Sequence, residues 1–195
     1  MGIFQLPDGY HEIKRINLQK NKKLAILVNV GALLIAALFV CIGLVISPSV
    51  SFEIAGENLI GALLSLLLWL VSMVAYFVGH ELVHGIFIKK FSGKRAKYGF
   101  TGMYAYAGSD AFFNKRQYII IALAPIIIFG IIFGVLNLLL PAIWFWAVYF
   151  LQIINLSGAA GDLYVTCLMC KSPADILTHD EGVEMIFYSI EKPEN

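Results

Sequence analysis

Four long apolar runs, separated by polar clusters of very unequal charge, dominate the pattern along the chain. Residues 24–46 carry no charge, and residues 59–88 are interrupted only at His80-Glu81-Leu82-Val83-His84. Residues 118–140 are uncharged, and residues 142–170 contain Asp162 alone. A helix crosses the hydrocarbon core of a bilayer in about 20 residues. The runs therefore predict an all-α membrane protein with four transmembrane helices over about 24–46, 59–88, 118–140 and 142–170. The second and fourth runs exceed a simple crossing, which predicts tilt, a break, or extension beyond the bilayer. Residues 1–23 and 171–195 then become polar terminal segments around a 24–170 membrane domain.

Composition strengthens this division. Charged residues make up 14% of the chain against 59% hydrophobic, where a soluble domain carries about a quarter charged. All fourteen Lys and Arg residues fall before residue 24, within 89–117, or after residue 170. The connections 47–58 and Pro141 hold none. Positive charge marks the cytoplasmic side, so both termini and the 89–117 loop are expected to be cytoplasmic.

The net charge of +1 offers no footprint for nucleic acid. The N-terminus lacks the apolar core of a signal peptide, and it is expected to lie as a basic segment along the membrane surface. Cys41, Cys167 and Cys170 are odd in number and sit in apolar runs, which argues against a disulfide framework. Cys167 and Cys170 have C-x-x-C spacing, but no second pair completes a zinc site. In the acidic tail, Met185–Ile190 has the composition of a short strand or hairpin.

Ionisable groups inside a span are costly, about 2.5–3.5 kcal/mol each on insertion scales, and they usually mark a functional interior site. Here they are His80, Glu81, His84 and Asp162. Residues four apart on a helix share a face, so His80 and His84 can address one cation. Zinc takes neutral imidazole nitrogen and commonly uses three protein ligands plus an open position. Glu81 is placed to act on water there as a general base. The competing reading of these groups is a polar helix–helix contact, or a metal site without catalysis.

Asp162 is the candidate third ligand. His80 and Asp162 each lie nine residues from the basic boundary of their span, at Lys89 and Lys171, or about 13 Å at 1.5 Å per residue in a regular helix. Asn155, Gly158, Ala159 and Asp162 share one helical face, and Ser65, Ser72 and Gly79 form a small-residue track on the second span that would admit it. A role for Asp162 in orienting a histidine, without touching the metal, stays open.

Gly79-His80-Glu81-Leu82-Val83-His84-Gly85, Ala122-Leu123-Ala124-Pro125 and Ser157-Gly158-Ala159-Ala160-Gly161-Asp162-Leu163-Tyr164, with Leu6-Pro7-Asp8-Gly9-Tyr10, together resemble the bacterial putative zincin peptidases. That family is itself similar to site-2-type intramembrane metalloproteases. The resemblance covers most of the chain. It implies Zn2+ held by His80, His84 and Asp162, with Glu81 as catalytic acid and base. In site-2-type enzymes an asparagine before the third ligand positions substrate or oxyanion, and Asn155 matches it in kind. The chain departs from their pattern in having Gly161 before the aspartate and no proline near the asparagine.

The expected function is therefore a zinc-dependent metallopeptidase of the bacterial plasma membrane. It would cleave membrane-protein or membrane-tethered peptide substrates near the cytoplasmic face. The 97–113 segment, rich in Tyr, Phe and Gly, offers either a strand edge for extended substrate or an interfacial aromatic belt. The rival class is a non-catalytic metal-binding adaptor or transporter-associated protein. Transport calls for polar groups along a path across the bilayer, whereas here they gather near one face.

Overall fold

The apolar runs fold as long helices whose starts are set by side-chain caps. The computed structural model describes residues 2–17, 19–47, 49–50, 58–102 and 105–190. Residues 51–57 of the first connection and Lys192, both used in the charge argument, lie outside the described residues. Helix α1 spans Lys22–Ile46, α2 Leu59–Ser92 and α3 Lys115–Leu139. Asn21 Oδ1 accepts the Leu24 N–H at 3.0 Å, and Asn58 Oδ1 accepts the Gly61 N–H at 2.7 Å. Each satisfies a backbone donor that a helix start leaves without an internal partner. At α3 the cap is reciprocal. Asn114 Oδ1 accepts from the Gln117 N–H at 2.9 Å while Gln117 Oε1 accepts from the Asn114 N–H at 3.1 Å, a capping box.

All three helices are long and apolar enough to cross a membrane. Leu33, Val45, Leu59, Val74 and Leu138 are among many large apolar side chains that stay exposed on them.

The fourth run is broken. A 3-10 turn at Ala142–Trp144 leads into α4, Phe145–Gly158, and then α5, Ala160–Lys171. The last two are bent by 43° at Ala159, so they form a fourth candidate span only if counted together. Gly158 and Gly161 flank the break, and glycine is a poor helix former. A side chain at either glycine would meet nothing within 4 Å among the described residues. Their smallness therefore serves the bend and not a close helix contact. Gly79 of the α2 small-residue track faces the Phe129 ring of α3.

A small antiparallel sheet accompanies the helices, and it includes the short strand expected at Met185–Ile190. Strands β1 (His11–Ile16), β4 (Phe112–Asn114), β5 (Leu177–Asp180) and β6 (Met185–Ser189) pair in the order β1-β6-β5-β4. Strands β2 (Lys97–Phe100) and β3 (Ala105–Gly108) form a separate hairpin. The N-terminal segment, expected along a membrane surface, contributes β1, which pairs with β6. Its register shifts between Glu12 and Lys14. That irregularity interrupts the two-residue alternation that marks a strand in sequence. The β5–β6 turn passes through Gly182 at φ +90° with Tyr106 packed against it, a conformation that only glycine adopts without strain.

Two compact units divide the chain. One comprises Met1–Val28, Glu81–Pro125 and Gly161–Asn195. Its core gathers Phe113, Phe187, Met169 and Ile176, all at most 1% exposed, from the sheet, α5 and the connection between α5 and β5. The other comprises Asn29–His80 and Ile126–Ala160. Here Tyr76, Phe133, Val148 and Leu151 form one cluster, and Trp146, Tyr149 and Ile153 another, packed against Phe39 of α1.

Candidate metal centre

His80 and His84 lie one turn apart on one face of α2 and are both buried. A hydrogen bond on Nδ1 orients each ring. His84 Nδ1 lies 2.9 Å from the Ile121 carbonyl oxygen. A carbonyl only accepts, so Nδ1 carries the proton and Nε2 keeps the lone pair. The reason this carbonyl is available is chemical. Residue 125, whose N–H would bond Ile121 in a regular helix, is a proline inside α3. The imidazole takes the hydrogen bond that the helix cannot make.

His80 Nδ1 is 3.1 Å from the Tyr76 hydroxyl, one helical turn earlier. Tyr76 in turn meets Asn155 Oδ1 at 3.2 Å, and Asn155 Nδ2 donates to the Ile126 carbonyl at 3.0 Å. Asn155 is fully buried, with both ends of its amide engaged by protein.

Asp162 stands in the first turn of α5, with Oδ1 3.7 Å from His84 Nε2. That is too long for a direct hydrogen bond. It approaches the ~3.4 Å between two atoms bound to one tetrahedral zinc. His80, His84 and Asp162 together offer ligand atoms within 4.8 Å of one another. The donor set of two imidazoles and a carboxylate suits zinc and leaves a fourth position. Glu81, half-buried, follows the first histidine on α2.

A family match accompanies this geometry. The model of a family described as putative zincin peptidase matches residues 73–177, more than half of the chain. The chain belongs to the putative zincin peptidase family. The match runs from within α2 to the first residue of β5, so it takes in the histidines, Glu81, Pro125, Asn155 and Asp162. Membership in the zincin peptidase family implies zinc and metallopeptidase chemistry. No curated protein and no solved structure matches the chain.

Several features of this zincin peptidase family member are not readable in the sequence. Tyr76 lies four residues before His80, a spacing that places it on the same face, yet an aromatic in an apolar run is ordinarily core. Asp180 in β5 accepts the Tyr118 hydroxyl and, at 2.7 Å, the Gly182 N–H. The histidines outside the motif sit in the sheet: His11 in β1, and His179 in β5, stacked on Phe112. Cys167 and Cys170 are exposed.

Burial raises the Asp180 carboxyl above the usual carboxylate range, and the Tyr118 and Gly182 hydrogen bonds oppose this only partly. A folded-state pKa above the unfolded one adds stability that is full below the unfolded pKa. That contribution is lost as pH rises through the folded pKa. The melting-temperature difference between wild type and Asp180→Asn, measured from pH 4 to 8, is therefore expected to favour wild type most at the acid end and to shrink as pH rises.

Proposed function

We propose that this chain is a multi-pass zinc metallopeptidase of the bacterial plasma membrane. It hydrolyses peptide bonds of membrane-protein or membrane-tethered substrates near the cytoplasmic face. The observation that carries this reading is the His80, His84 and Asp162 group gathered beside Glu81 in a chain of the zincin peptidase family. The membrane setting is supported by three apolar helices of spanning length that leave large apolar side chains exposed. The cytoplasmic placement is supported by the confinement of all Lys and Arg residues to the termini and the 89–117 loop.

Zinc, when bound by His80, His84 and Asp162, supplies Lewis acidity toward the scissile carbonyl and lowers the pKa of water to about 7. Glu81 takes a proton from the attacking water as oxygen adds to the carbonyl carbon. It then delivers that proton to the amine nitrogen as the C–N bond breaks. The His84 and His80 rings keep Nε2 toward the ligand group because Nδ1 is engaged by Ile121 and Tyr76. A helical substrate must unwind first, since its carbonyls are already hydrogen-bonded. Asn155, fully buried, takes no part in holding substrate in this account.

The test is cleavage of a membrane-tethered reporter by the purified full-length protein in vesicles. Chelation of zinc is expected to reduce cleavage to background, and one equivalent of zinc per chain to restore it. Cleavage that survives complete removal of zinc would overturn the proposal.

A further inference from the structure

We infer that Asn155 is a positioning residue that decides, through Tyr76, which ring nitrogen of His80 carries the proton. The inference rests on the metal-site reading above and adds to it the element that makes His80 a competent ligand.

The Ile126 carbonyl can only accept a hydrogen bond. Asn155 must therefore turn its amide nitrogen toward it, at 3.0 Å. That fixes Oδ1 toward the Tyr76 hydroxyl, 3.2 Å away. An amide oxygen also only accepts, so the single hydroxyl proton of Tyr76 is committed to Asn155. The Tyr76 oxygen is left to accept from His80 Nδ1 at 3.1 Å. Nδ1 then carries the ring proton, and Nε2 presents its lone pair.

The surroundings hold this chain of donors in place. Tyr76 is 4% exposed, Asn155 0% and His80 9%. The Tyr76 ring is packed by Phe129 and Phe133, with centroids 5.2 Å and 5.8 Å away. In such a dry setting no bulk water competes for the hydroxyl.

Without Asn155 the same hydroxyl could donate to Nδ1, which moves the ring proton to Nε2, the atom a metal needs. A polar side chain two residues removed from the metal thus selects the binding form of the ligand. His84 reaches the same protonation in one step, through the Ile121 carbonyl left available by Pro125. Two α3 carbonyls, Ile121 and Ile126, therefore set the two imidazoles, one directly and one through Asn155 and Tyr76.

The experiment uses full-length protein in detergent, labelled with 15N at histidine. Zinc affinity is measured by competition with a chelator of known strength. In zinc-loaded wild type the His80 ring proton is expected on Nδ1, protected from exchange. Asn155→Leu is expected to weaken zinc binding about 10–100-fold, the usual cost of losing such a partner, and to abolish the protected signal. Tyr76→Phe removes both the acceptor and the misdirected donor, so its loss is smaller. The double variant Asn155→Leu/Tyr76→Phe is expected to bind zinc more tightly than Asn155→Leu alone. A packing role predicts the reverse, because both losses would then accumulate.

Zinc affinity unchanged in Asn155→Leu, or a double variant weaker than Asn155→Leu, would overturn the inference and leave the metal site standing. A His80 proton found on Nε2 in wild type would do the same, even if the leucine variant fails to fold. Wild-type protein that takes up no zinc would remove the metal-site reading itself and the inference with it.

Discussion

Glu81→Gln is expected to abolish peptide hydrolysis while leaving zinc bound. Glutamine keeps the size and polarity of the side chain but cannot accept the proton that the attacking water must lose. General-base catalysis is worth about 10²–10⁴-fold in rate, so cleavage should fall at least to that extent. Glu81 is not among the three residues that gather ligand atoms, so metal content should not change. The two readouts separate chemistry from binding. Membrane fractions of cells carrying wild type or Glu81→Gln, compared by quantitative proteomics, should differ in fragments that only the wild type produces, and this also identifies substrates. Equal cleavage by the variant would remove Glu81 from the mechanism.

The second large effect is expected for His84→Ala. This substitution deletes a ligand whose Nε2 faces Asp162 at 3.7 Å and leaves the Ile121 carbonyl without its imidazole partner. Losing an outer hydrogen-bond partner of a metal ligand costs about 10–100-fold in affinity. Losing the ligand itself should cost more, so the purified variant should retain little zinc and show background cleavage. Elemental analysis beside wild type checks this. Zinc content equal to wild type would place the metal elsewhere.

Much of this site is legible in the amino-acid sequence. The i, i+4 histidines and the adjacent glutamate stand out because an apolar run otherwise excludes them. Asp162 is reachable by matching distances from basic boundaries, because the nine residues counted back from Lys171 all lie within the regular helix α5. What escapes the sequence is whatever depends on partners far along the chain. The proton on His84 depends on a carbonyl 37 residues away, and its availability follows from Pro125 inside α3. Asn155 is expected from its resemblance to meet substrate or oxyanion, yet its buried amide lies between Tyr76 and Ile126. The fold shows the same limit. Helices are readable from uninterrupted apolar runs, whereas β1 is hidden by a register shift and by the charges of Glu12, Lys14 and Arg15 within it. It pairs with β6, at the opposite end of the chain, which periodicity cannot reveal.

The central claim is that two imidazoles and one carboxylate draw a zinc ion into this chain. X-ray absorption at the zinc edge of the purified, zinc-loaded protein tests it most directly. Nitrogen and oxygen scatterers are expected at about 2.0–2.2 Å, with the multiple-scattering signature of two imidazoles and no sulfur. Sulfur at about 2.3 Å, which would indicate Cys167 and Cys170, or a shell without imidazole, would contradict it.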